Sequence, residues 1–243
     1  MLFNKGLALS KLEKYQEAIE AYNKAISLNS NNAKAYSNKG LALGKLGKYQ
    51  EAIEAYNQAI NFNPNYSEAY NNKGVALGQL GKYQEALEVY NQAINFNPNY
   101  ANAYFNKGLA LSKLEKYQEA IEEYNKAISL NSNNANAYSN KGLALGKLGK
   151  YQEAIEAYNQ AISLNPNNAA AYYNKACALN KLGKEQESHA ALNKAIECDA
   201  EHGVGVGKSS IGGTVKLKFS NAGSVEKGSV AFANGARVEY GTL

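Results

Sequence analysis

The sequence predicts an all-α protein built of repeated helix hairpins, with a short β-rich segment at its C-terminus. Three observations carry that expectation. Near-copies of one segment return every thirty-four residues, and self-similarity at such a period marks a stacked-repeat architecture. Each copy holds two apolar stripes of helical spacing, separated by turn residues. After His202 both the periodicity and the composition change abruptly.

Residues 33 to 66, AKAYSNKGLALGKLGKYQEAIEAYNQAINFNPNY, show the unit most completely. In its first half Tyr36, Gly40, Leu43 and Leu46 fall along one side of a helix. Gly47 and Lys48 interrupt that helix. In its second half Ala52, Ile53, Tyr56, Ala59 and Ile60 repeat the stripe, and Pro64 ends it because proline has no amide donor. One unit is therefore a helix hairpin. Gly40 and Ala52 sit where the two helices meet and let their backbones approach, while Tyr36, Tyr49 and Tyr56 fill the gaps around the contact.

An aromatic residue, a glycine four positions on, a turn, then tyrosine, alanine, tyrosine, alanine and proline: this succession resembles the tetratricopeptide repeat family. The resemblance covers residues 1 to about 202, in register six times. It implies a right-handed superhelical solenoid whose first helices line a concave groove. Repeat boundaries fall before Ala33, Ser67, Ala101, Ala135 and Ala169, so residues 1–202 read as six hairpins, the first truncated at its start. One departure is visible: Lys39, Lys73, Lys107, Lys141 and Lys175 stand where the family usually has leucine. They are expected on a solvated face, their stems covering apolar surface. Residues 3–60 match 105–162 except at Ala21, which becomes Glu123, and Lys34, which becomes Asn136, as if a three-repeat block had been duplicated. In such an array each hairpin buries its apolar face only against its neighbours.

The two ends differ. In the last repeat Glu185, Ser188 and His189 replace tyrosine, alanine and isoleucine or leucine, the polar drift expected of a terminal cap. At the other end Leu2 and Phe3 open a helix with no capping residue, so this face is expected either to belong to a longer array or to dock onto another molecule. The tail reads as a glycine-rich linker, 203–213, followed by strands in 214–243. Thr214 to Phe219 alternates polar and apolar residues, and Asn234-Gly235 joins two further runs, a strong hairpin signal. Three short antiparallel strands are the expectation, leaning on the array or on a partner because so small a sheet is marginal alone.

Composition narrows the function. The chain has 243 residues, 45% of them hydrophobic, and no apolar run long enough to cross a membrane or to serve as a secretory signal. A cytoplasmic, non-membrane protein is expected. Cys177 and Cys198 are too few for a disulfide framework and read as small buried residues. Of the net charge of +5, +3 lies in residues 203–243. A near-neutral repeat region is a poor match to duplex nucleic acid, which is bound through many lysine and arginine contacts to phosphate.

The candidate binding residues lie on the first helix of each hairpin, opposite its core-facing tyrosine. Asn4, Asn38, Asn72, Asn106, Asn140 and Asn174 recur at one position. Two turns further along come Lys11, Lys45, Gln79, Lys113, Lys147 and Lys181, and between the rows Leu7, Leu41, Val75, Leu109, Leu143 and Cys177. Asparagine is an indifferent helix former, so its repetition asks for a reason. Its amide carries donors and an acceptor that match a peptide unit. The row resembles the asparagine ladder with which some tetratricopeptide proteins grip an extended peptide, and the lysines would favour acidic side chains. The plain alternative is that duplication copied these asparagines and that they bond a neighbouring repeat. A carboxylate clamp is not completed, because Lys34 is followed by Glu68, Asn102, Asn136 and Ala170 at the equivalent positions. Phe105 and Tyr173, each just before its repeat's asparagine, could wall pockets for ligand side chains.

No enzymatic or cofactor chemistry is expected. Gly203 to Ser209 lacks the first glycine of a phosphate loop and follows a helix. Cys177, His189, Cys198 and His202 do not converge as zinc ligands. Two histidines and the lone aspartate Asp199 offer no base with an orienting partner. The expected function is a scaffold binding an extended protein or peptide segment; the alternative is a subunit that self-assembles head to tail through its N-terminal face and basic tail.

Overall fold

The computed structural model describes residues 1–201, with side chains to Cys198, and the backbone of 214–218, 228–231 and 237–241. The chain divides into two compact units, Met1–Glu115 and Lys116–Leu243. The first holds α1 (Leu2–Lys11), α2 (Tyr15–Leu28), α3 (Ala33–Lys45), α4 (Tyr49–Phe62), α5 (Ser67–Gln79), α6 (Tyr83–Phe96) and α7 (Ala101–Lys113). The second holds α8 (Tyr117–Leu130), α9 (Ala135–Lys147), α10 (Tyr151–Leu164), α11 (Ala169–Lys181) and α12 (Glu185–Glu201), followed by β1 (Thr214–Lys218), β2 (Gly228–Ala231) and β3 (Arg237–Gly241). Within each unit a helix packs on its chain neighbours, α3 for instance on both α2 and α4.

The hairpin core is built from alanine, tyrosine and one glycine. Ala18, Ala52, Ala86, Ala120 and Ala154 are fully buried, and Tyr22, Tyr56, Tyr90, Tyr124 and Tyr158 are buried beside them. Gly40 does not clear a path for the backbone, as the sequence suggested; it clears one for a ring. A Cβ there would lie 2.7 Å from Cε1 of Tyr56, and Gly6, Gly74 and Gly142 meet Tyr22, Tyr90 and Tyr158 in the same way. Outside this contact Tyr36 stacks on Phe62 at 5.6 Å and Tyr70 on Phe96 at 5.4 Å.

The turns have their own chemistry. Gly47, Gly81, Gly149 and Gly183 adopt φ between +71° and +75°, left-handed backbone that glycine takes without strain. Glu13 and Glu115 hold the same place with φ of 59° and 60°. Proline is not what ends the second helices. Helices α2 and α8 stop at Leu28 and Leu130 with serine following the terminal asparagine. Asn29 leaves the helix at φ −145°, ψ 91° while its N–H still bonds to Ala25. Asn32, Asn134 and Asn168 then cap the next helices, each Oδ1 accepting from an amide three residues on at 3.0 to 3.1 Å.

Two expectations change. Ser188 is not a solvated cap residue: it is 0% exposed, with Oγ donating to the Ala176 carbonyl at 2.8 Å, because it occupies the fully buried alanine position of the hairpin. The lysines at 39, 73, 107, 141 and 175 are half-buried. Burial pulls the Lys73 ammonium below its usual range, with Glu85 acting the other way. In the sheet β3 is central, β2 runs antiparallel to it and β1 runs parallel. An all-antiparallel sheet is not adopted, because β2 takes one edge of β3 and β1 takes the other in the same direction as β3. The Asn234-Gly235 turn, the linker 203–213 and His202 lie outside the described residues.

Candidate peptide-binding groove

In the first unit α1, α3, α5 and α7 carry Asn4, Asn38, Asn72 and Asn106 at one register, but their surroundings differ. Asn4 is exposed and the other three are half-buried. Asn38 Nδ2 donates to the Lys34 carbonyl one turn back at 2.8 Å, the local bond that helix-interior asparagines readily make. Asn106 Nδ2 instead donates across the repeat to Asn71 Oδ1 at 2.9 Å, and Asn71 Nδ2 donates to Asn72 Oδ1 at 3.1 Å. Asn71, only 4% exposed, thus ties α5 to α7. An amide offers two N–H groups and an oxygen with two lone pairs, so each of these asparagines retains hydrogen-bonding capacity.

The second unit contrasts with the first. Asn140 Nδ2 bonds back to the Asn136 carbonyl at 2.8 Å, as its duplicate Asn38 does. Asn174 is 4% exposed, and neither end of its amide has a hydrogen-bond partner among the described residues. Tyr173 is completely buried, so its ring is closed to a ligand. Phe105 is half-buried, and Lys11, Lys45, Lys113, Lys147 and Lys181 are exposed.

The feature that gathers several predicted residues is a cavity of about 420 Å³ between α3 and α5. Leu41 and Lys45 of α3, Tyr49 and Tyr56 of α4, and Asn72, Val75 and Gln79 of α5 line it. Leu41 and Val75 remain 46% and 39% exposed. The apolar row therefore opens into a recess whose lining also includes Asn72 and Lys45.

Glu68, at the start of α5, adds a charge that the sequence reading met only among the residues that leave a carboxylate clamp incomplete. Burial raises the phenols of Tyr56, Tyr66 and Tyr100, and for each the Glu68 carboxylate raises them further; a hydrogen bond between Tyr66 and Ser37 acts the other way. A signal for Glu68 was present: it is the single acidic residue in any of the six first helices. Asn71 had no such signal, since its role depends on a neighbouring helix. Among the described residues no group of three or more histidine, cysteine, aspartate or glutamate side chains gathers as a metal site would require. Cys198 Sγ donates to the Pro166 carbonyl at 3.6 Å. No described helix is long and apolar enough to cross a membrane.

Stacked helix hairpins with such a recess define a helical repeat protein. Tetratricopeptide repeat profiles match residues 33–66 and 135–168 and, in a second version, 55–88 and 157–190, while a TPR repeat profile matches 6–47, 77–115 and 113–149. The chain belongs to the tetratricopeptide repeat family. No curated protein matches it. Among solved structures it is similar to a crystal structure of MamA, with 29% identity over 67% of this chain and 95% of that one, and a TM-score of 0.63. It is also similar to YrrB, described as a TPR protein with an unusual peptide-binding site, with 25% identity over 76% and 96% of the two chains and a TM-score of 0.63. MamA from Desulfovibrio magneticus RS-1, from residue 41 to its end, shares the fold at 24% identity, 70% and 97% coverage and a TM-score of 0.65.

Proposed function

We propose that this protein is a binding scaffold that holds an extended segment of another protein along its first helices, centred on the recess between α3 and α5. The recess itself is the observation that carries the reading. It has the volume of a small-ligand or side-chain pocket, apolar walls and a few polar groups at its mouth. Leu41 and Val75 stay exposed on either side of it, where an apolar side chain of the partner would remove both from water. Asn38, Asn72 and Asn106 supply amide groups for the partner's main chain, and Lys45 and Lys113 would draw acidic side chains toward α3 and α7. The peptide-binding site named for YrrB supports the same reading.

The asparagine row works less evenly than a ladder of identical rungs. Asn38 and Asn140 each commit a donor to their own helix, Asn72 and Asn106 share a bridge through Asn71, and Asn174 is buried. Each net hydrogen bond contributes only about 0.5–1.5 kcal/mol, against an association cost of several kcal/mol. Affinity should therefore be roughly micromolar and should depend on the recess.

The test is selection of a displayed random-peptide library on the full chain. Replacing Leu41 and Val75 together, Leu41→Glu and Val75→Glu, should abolish enrichment while helicity by circular dichroism is unchanged. Undiminished enrichment of the same peptides would overturn the reading.

A further inference from the structure

The charge of the groove face is not uniform along the first unit, and α5 is the helix where it turns acidic. At the two positions that flank the asparagine and the apolar residue, α3 carries Lys34 and Lys45, and α7 carries Asn102 and Lys113. Helix α5 carries Glu68 and Gln79. Glu68 is exposed, and among the described residues no ion pair reaches it. Tyr66 and Tyr100 occupy the N-terminal boundary of α5 and of α7, one repeat apart, and both phenols feel the Glu68 carboxylate. Tyr56, which also feels it, is a wall of the recess. Glu68, Asn72 and Val75 follow one another along one face of α5, so the carboxylate lies two turns from the recess wall on the same side of that helix.

The geometry points to a partner segment in which an arginine or lysine precedes or follows an apolar residue by three positions, the cation at Glu68 beside Tyr66 and Tyr100, the apolar side chain in the recess against Val75. This rests on the groove reading above and names the chemistry of its ligand. Glu68 and Val75 are two helical turns apart, about 10 Å. Three residues of polyproline II chain span about 9 Å and return a side chain to the same face. A guanidinium or ammonium group there meets an exposed carboxylate, with the half-buried Tyr66 and Tyr100 near enough to feel the same charge. A structural role competes with this reading, because an acidic residue in the first turn stabilises a helix through its dipole. Helix α7, which likewise begins after a tyrosine without a side-chain cap, has no acid in its first turn.

The experiment is fluorescence anisotropy of the full chain with three labelled octapeptides, Gly-Ala-Xaa-Ala-Ala-Leu-Ala-Gly, where Xaa is arginine, glutamine or glutamate, together with their reversed sequences. In one orientation arginine should bind tightest and glutamate weakest, with about tenfold between them at low salt, narrowing at high salt. Glu68→Gln should erase that order while leaving the glutamine peptide bound as before. A variant that only loses thermal stability, with the peptide order intact, would assign Glu68 to the helix dipole and overturn the inference. So would equal binding of all three peptides to the unaltered chain, an outcome that leaves the groove itself standing. If library selection succeeds yet none of these octapeptides binds, the inference falls alone.

Discussion

A single carbon decides how each hairpin closes at Gly40 and its equivalents. With Tyr56 fully packed and its Cε1 only 2.7 Å from where a Cβ would stand, either the ring or the helix must shift to admit an alanine. Overpacking of this kind costs about 1–3 kcal/mol. Gly40→Ala should therefore lower the unfolding free energy by that amount, read as a lower urea midpoint at unchanged slope, and pairing it with Tyr56→Leu should cost less than the two changes summed; strict additivity would mean that the ring is not the obstacle. The sequence made the glycine conspicuous but not its partner, because spacing along one helix says nothing of which side chain from the other helix lies across it. Asn71 teaches the same lesson at the groove: its importance lies in a bond from Asn106, one helix away.

The turns between paired helices are a property of the element, and they are unequal. Four of them place glycine in left-handed backbone, and Glu13 and Glu115 accept the same φ with a Cβ. That conformation costs a non-glycine residue about 1–2 kcal/mol. Glycine's extra freedom in the unfolded chain offsets about 0.5–1 kcal/mol of what its introduction there gains. Glu115→Gly should thus stabilise by a few tenths to about 1 kcal/mol, read as a higher urea midpoint; a lower one would mean that the glutamate makes a compensating contact. Helix positions were legible because a 3.6-residue stripe is local and repeated. The reason for their ends was not, since proline drew attention away from the asparagine that ends α2 and α8 without it.

At the scale of the whole molecule the buried tyrosines tie stability to alkaline pH. Burial raises the phenols of Tyr56 and Tyr90, so the folded protein keeps their protons where the unfolded chain releases them. The stability they contribute is complete below the unfolded value near 10 and is lost as pH climbs from there through the raised native values. Each should lower unfolding free energy by about 1.4 kcal/mol per pH unit above pH 10. Urea titrations between pH 9 and 11 check this, and Tyr56→Phe should flatten the slope; the same slope in that variant would place the titration elsewhere. The candidate groove was legible as rows of asparagine, leucine and lysine, yet identical residues in those rows have different fates. Asn38 and Asn140, copies in copied surroundings, make the same bond to their own helix, whereas Asn72 and Asn106 share a bridge and Asn174 is buried. The sequence by itself determined the repeating hairpin and the register of the rows, because both follow from a period that each segment carries within itself. Only the tertiary structure decided which amides are already engaged and where the recess opens, because those depend on what an adjoining hairpin brings within a few ångströms.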